Sequence, residues 1–223
     1  MTNFAPPSIE ALQRPGPSRE PKLAILIATE DGASSRLYFG SFADHVKNHY
    51  TIFLPPHRGS APKSVVDAAN EFKDAKDPLG TPGGENRFDE IWVIFDTEGP
   101  GNAQRDKEAR EAIERARQLG FKTGVSNPSF EYWIILHYEK FEGFLPNGKA
   151  ALRKAEKLTQ EHDNFKYQKN KDVFNLTRHR IDFAIQNAEK IIKIRYQNTS
   201  QHPCDCHPST QLHLLAKRLL NKP

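Results

Sequence analysis

Four carboxylates in this chain stand where they can do hard-cation chemistry. Glu30 follows the apolar run Lys22-Leu23-Ala24-Ile25-Leu26-Ile27-Ala28-Thr29, and Asp96 and Glu98 follow Ile91-Trp92-Val93-Ile94-Phe95. If both runs are strands of one parallel sheet, the three acids lie at its carboxyl ends, where open α/β sheets place their ligands. The two acids of an Asp-x-Glu step project to one side of an extended backbone and can share a cation. Glu30 completes an all-oxygen set suited to Mg2+ or Mn2+. Acids after strands also cap the helices that follow, and spacing alone leaves that reading open.

The fourth carboxylate, Glu131, lies in Ser126-Asn127-Pro128-Ser129-Phe130-Glu131-Tyr132-Trp133-Ile134-Ile135-Leu136-His137. Asn127 suits a helix N-cap and Pro128 a first helical position, and the run that follows is too apolar for a surface helix. Helical spacing sets Glu131 on the stripe of Ile135 and Tyr138, so its charge must meet a donor, a cation or a metal. Either the amides and dipole of its own helix hold it, or it belongs to a site. His137 reads as a packed core histidine, and His57 and Arg58 as a solvated turn or a nucleic-acid contact.

The elements that must position these groups follow from pattern. Lys22–Thr29, Tyr50–Leu54, Ile91–Phe95 and Phe121–Val125 have strand length and composition, the first and third with both faces covered. Helices are expected at Ser34–Asn48, Lys63–Lys76 and Ala103–Leu119, the last with Ala109, Ala112, Ile113, Ala116 and Leu119 inward and Gly120 as its stop. The alternation predicts an α/β fold, a parallel sheet flanked by helices. Helices at Lys149–Thr159, Lys171–Tyr196 and Pro208–Leu220 form a C-terminal extension. Residues 1–20 read as a loose arm with a short helix at Ser8–Arg14, residues 21–145 as the α/β core, and 146–223 as a mainly helical, basic extension packed on it. The Pro- and Gly-rich segment 77–88 is a loop.

Composition excludes several classes. The 223 residues are 37% hydrophobic and 27% charged, as in a soluble globular protein. No apolar run nears the ~20 residues of a membrane span, and the start lacks a signal peptide's basic and hydrophobic regions, so a cytoplasmic location is expected. Neither GxxxxGK[ST] nor GxGxxG occurs, which argues against ATP hydrolysis. Cys204 and Cys206 sit in His202-Pro203-Cys204-Asp205-Cys206-His207, whose spacing disfavours a zinc site and suits a reduced loop. Formal net charge is +4. Between Lys149 and Arg195, twelve Lys and Arg stand against six Asp and Glu. That excess suits a polyanion partner or a solvated helix surface.

An acid after the first strand and paired acids after the third resemble the order in a toprim domain. With the other segments added, the chain resembles the RloB-like family, toprim-related proteins associated with bacterial phage defence. The segments that carry the resemblance are 30–39, the strand ending Asp96-Thr97-Glu98, and the Ser-Asn-Pro-x-Phe-Glu-x-Trp core. Tyr167-Gln168-Lys169-Asn170, Ala184–Ala188 and Pro208–His213 extend it, from residue 22 to about 216. The family's first motif usually reads E-G-E-x-T-E; here Asp31 and Gly32 follow Glu30, and Ser35 holds the final acidic position. Glu98 stands where Asp is usual.

The resemblance implies an Mg2+- or Mn2+-dependent nuclease, a defence effector acting on RNA or DNA. Asp96 and Glu98 would hold the ion, and Glu30 would complete its coordination or serve as acid/base group. Glu131 would be a further ligand or would position one, and Lys169 would neutralise a phosphate. An ABC-type ATPase partner is implied, and a homodimer is compatible with the reading. The competing reading is a nucleic-acid-binding or regulatory module whose acid site has decayed, supported by Ser35. A phosphotransfer domain is disfavoured, because no acceptor Asp or glycine phosphate loop ends the first strand.

Overall fold

Alternate residues of a strand face opposite sides of its sheet, so each central apolar run here feeds two cores. In the computed structural model, which describes residues 22–56, 58–74, 88–197 and 202–221, Ile25 and Ile27 of β1 (Leu23–Thr29) enter one core and Leu26 and Ala28 the other. In β3 (Glu90–Asp96), Trp92 and Ile94 part from Ile91, Val93 and Phe95 in the same way. The arm 1–20, His57 and all of the 77–88 loop but Phe88 lie outside the described residues.

One face of the sheet is covered by α2 (Pro62–Asp74) and α3 (Ala103–Gln118), through Val65, Val66, Ala69 and the stripe Ala109, Ala112, Ala116. The core on the other face takes in residues of α1 (Ser34–Val46), α4 (Glu131–Leu136), α5 (Gly148–Asp163), α6 (Phe174–Thr177), α7 (Ile181–Tyr196) and α8 (Leu212–Leu220), with α5 packed on α4 and α6 on α1. The remaining strands are β2 (Tyr50–Phe53), β4 (Lys122–Asn127) and β5 (Ser209–Thr210), in the order β2-β1-β3-β4-β5. β1 to β4 are parallel and β5 is antiparallel to β4, so the sheet is mixed rather than wholly parallel. The chain steps from β1 to β2 on one side and continues to β3 on the other. The β1/β3 boundary is therefore the topological switch point, the crevice that open α/β sheets use for ligands.

Three local expectations need correcting. Asn127 is the last residue of β4, paired with Ser209, and its side chain is committed to the Cys204 carbonyl and His207, so it caps no helix. The buried helix starts only at Glu131. The span 171–196 is not one helix: Asp172 accepts the Phe174 N–H at 2.8 Å and the Ser41 hydroxyl at 2.7 Å, and a 3-10 turn at Arg178–Arg180 separates α6 from α7. The last helix begins at Leu212, because Ser209 and Thr210 pair with β4 first. Among the described residues no helix is long and apolar enough to cross a membrane.

Candidate functional site

The switch point brings the first predicted acids together. Glu30 donates its N–H to the Ile94 carbonyl at 2.9 Å, carrying β1 one residue past its strand beside β3. Its Oε2 accepts the Asp96 N–H at 2.9 Å, and its Oε1 forms an ion pair with Arg105. Arg105 also donates to the Asp96 carbonyl at 3.1 Å and the Ser60 carbonyl at 3.0 Å. One buried guanidinium thus ties the ends of β1 and β3 to the loop before α2. Both carboxylate oxygens of Glu30 are engaged. Burial raises its pKa; Arg105 and the Asp96 amide oppose the rise, and Glu98 adds to it.

Asp96 is the electrostatic centre. Its pKa lies well above the ordinary Asp value, first through burial and then through the charges of Glu30, Glu131 and Asp31, with the Phe130 amide pulling the other way. Asp31 is an acid of the same cluster that sequence reasoning passed over. Its Oδ1 accepts the Ser35 N–H at 3.1 Å and the Ser35 hydroxyl at 2.5 Å, so Ser35 binds a carboxylate where the family pattern supplies one.

Glu98 departs from the extended geometry that would align it with Asp96: its φ is 67°, and the backbone turns there. Its Oε2 lies 3.3 Å from where a Cβ on Gly148 would stand, at the first turn of α5, where a helix favours negative charge. Gly99 completes the turn at φ 92°. A Cβ there would meet the Pro146 carbonyl at 3.0 Å and Pro128 at 3.1 Å, so the close approach requires glycine.

Glu131 is only 1% exposed. It is not held by its own helix amides: the Ser129 hydroxyl donates to Oε2 at 2.6 Å, Tyr167 reaches Oε1 at 3.5 Å, and the Lys169 ammonium stands 3.7 Å from Oε1. Lys169 is half exposed. Its burial favours the neutral amine, but Glu131, Asp96, Asp31 and Glu98 together raise its pKa. The Lys169 carbonyl accepts the Ser34 hydroxyl at 3.2 Å, fixing this loop against the start of α1.

His137 lies apart from this cluster. Its Nδ1 meets the Trp133 carbonyl at 2.9 Å and its Nε2 the Tyr38 hydroxyl at 3.2 Å, and burial pushes its pKa down to about 4. It is a neutral core histidine. Arg58 is exposed and paired with Glu71.

A family model described as RloB-like protein matches residues 25–219. The chain belongs to the RloB-like family. No curated protein and no solved structure matches it. The RloB-like match runs from β1 into α8, so it contains every acid of the cluster together with Lys169 and Arg105.

The donor chemistry of this RloB-like site suits a hard divalent cation. Glu30, Asp31, Asp96, Glu98 and Glu131 face two cations, Arg105 and Lys169, a net charge of −3 when all are ionised. All the candidate ligand atoms are carboxylate oxygens, and the raised pKa of Asp96 marks a charge without adequate compensation. Among the described residues no three His, Cys, Asp or Glu side chains are gathered around one point as a ligand group. Among the described residues, Asp96 and Glu98 are the acids of the cluster whose carboxylates have no guanidinium, hydroxyl or ammonium bonded to them.

Proposed function

We propose that this chain is a metal-dependent phosphodiesterase of toprim type that cuts nucleic acid, and that it serves as an effector in bacterial phage defence. The observation that carries the reading is the crowding of carboxylates around Asp96 at the switch point, in a chain of the RloB-like family. Asp96 and Glu98 would hold Mg2+ or Mn2+, which when bound supplies charge neutralisation at a phosphate and a more acidic water.

The chain's own residues do the rest. Arg105 and Glu30 lock the ends of β1 and β3, so the Asp96 backbone is fixed before any ligand arrives. Lys169 faces a phosphate oxygen with a charge that four acids keep protonated. Glu131, held by Ser129 and Tyr167, fixes the height of that ammonium. In the reaction a water oxygen attacks phosphorus and gives up a proton, the bond to one sugar oxygen breaks, and that oxygen takes up a proton in its place. An ABC-type ATPase would supply the nucleotide hydrolysis for which this chain has no phosphate loop.

A second reading has a specific observation behind it. Glu30 has both oxygens committed to Arg105 and the Asp96 amide, as expected of a decayed acid site kept for nucleic-acid binding. The test is cleavage of labelled single-stranded and duplex RNA and DNA by the purified chain with Mg2+, Mn2+ or EDTA. Metal-dependent cleavage lost in Asp96→Asn supports the nuclease; tight binding with no cleavage under any metal supports the module.

A further inference from the structure

A cavity of about 330 Å3 opens beside the acid cluster, between the loop 97–103 and the segment 204–207. Thr97, which stands between Asp96 and Glu98, is one of its walls. That residue is 3% exposed, and its hydroxyl has no hydrogen-bond partner among the described residues. His207 lines the same cavity, and its Nε2 is likewise shielded and unpartnered among the described residues. Two orphaned polar atoms on one cavity are costly unless a ligand satisfies them.

The chemistry of the walls selects that ligand. Asn127 donates its Nδ2 to the Cys204 carbonyl at 3.1 Å, so its Oδ1 must accept from His207 Nδ1 at 2.7 Å. The proton therefore sits on Nδ1, and Nε2 presents a lone pair. Burial lowers the His207 pKa, which keeps the ring neutral. Asp106 and Asp205 also line the cavity, each ion-paired with Arg110. Acceptors dominate, so a phosphate is disfavoured despite the start of α3 nearby, and a neutral group carrying N–H donors fits. Phe144, 70% exposed and outside the cavity's lining, meets the His207 ring in a T-shaped contact at 5.5 Å and so stands beside that wall.

We infer that this cavity binds an amino-bearing nucleobase, adenine, cytosine or guanine, of the nucleic-acid strand whose phosphate lies at Asp96 and Glu98. The inference rests on the nuclease reading for its strand and on the cavity for its base. Its volume is at the lower end of small-molecule sites, on the order of 300 Å3, enough for one nucleoside. Thr97 and His207 meet the base edge, and Phe144 stacks.

The experiment is fluorescence anisotropy with labelled single-stranded hexanucleotides of adenine, of cytosine, and of uracil or thymine, in EDTA. Wild type is expected to bind the adenine and cytosine oligomers several-fold tighter than the uracil and thymine ones. Phe144→Ala, on the surface and so safe for folding, should weaken binding about ten-fold, within the range for one lost stacking contact. Thr97→Val should erase the base preference. Variants that bind like wild type, or a wild type indifferent to the base, overturn the inference even if the protein cleaves with metal, and leave the nuclease standing. The expected preferences in a protein that cuts nothing with Mg2+ or Mn2+ uphold the base site and overturn the nuclease. Wild type that binds no oligomer overturns the base site.

Discussion

Arg105 and Glu30 meet as a buried ion pair at the switch point, with side chains only 10% and 13% exposed, and the same two residues grip the carbonyl and the amide of Asp96. The acid that the sequence suggests as a metal ligand is thus the anchor of the strand end that carries the better candidate. A buried pair costs much to break and little to replace. Arg105→Met should therefore destabilise the chain by about 3–5 kcal/mol in urea unfolding, because Glu30 is left charged and buried. Adding Glu30→Gln should recover most of that loss. A single variant as stable as wild type would remove Arg105 from this role.

Asp96 gives a pH signature. Its carboxyl ionises near the ordinary Asp value of 3.8 in the unfolded chain and well above it in the fold. Between those values the folded state holds a proton that the unfolded state has released, so stability is greatest at the acid end and falls as pH rises through the folded pKa. In EDTA at neutral pH, Asp96→Asn should raise the Tm above that of wild type and should flatten the decline with pH. A lower Tm for the variant across that range would contradict the crowding argument.

Glu131 separates packing from chemistry. Glu131→Gln keeps an acceptor oxygen for one of the two hydroxyls, Ser129 on Oε2 or Tyr167 on Oε1, and removes the charge beside Lys169. The fold should lose about 1 kcal/mol or less, while metal-dependent cleavage should fall at least ten-fold as Lys169 loses its anchor. Full cleavage by the folded variant would make Glu131 purely structural.

The basic span 149–195 makes a prediction of its own. Several of its charges are spent internally: Lys154 on Glu139, Lys157 on Glu161 and Arg180 on Asp163. If the remainder contacts phosphates, log affinity for polynucleotide should fall with log salt by roughly 0.7–0.9 per contact. A salt-independent association would return the span to a solvated surface.

Much of this arrangement was legible in the sequence because it depends on long apolar runs. Ile25 to Ala28 and Ile91 to Phe95 are continuous because helices cover both faces, and that in turn places Glu30 and Asp96 side by side. Arg105 was missed although it stands in phase with Ala109, Ala112 and Ala116. An arginine on an alanine stripe is a signal, but Gln104, Asp106, Lys107 and Glu108 surround it and make the segment look like an ordinary solvated first turn. Asn127-Pro128 reads equally as a helix start or as a strand running into a turn, and only the pairing with Ser209 decides. β5 has two residues, too few for any period to show. Asp31 was passed over because its role depends on Ser35, four residues away, turning a hydroxyl toward it.

The central claim is that the acids at the end of β3 hold a divalent cation, and the most direct measurement is a crystal of the chain soaked in Mn2+ and recorded at the manganese absorption edge. The account predicts one anomalous peak at coordinating distance, about 2.1–2.2 Å, from carboxylate oxygens of Asp96 and Glu98, absent from Asp96→Asn crystals treated alike. A soaked wild-type crystal with no peak at these carboxylates, and Arg105 still on Glu30, would contradict it.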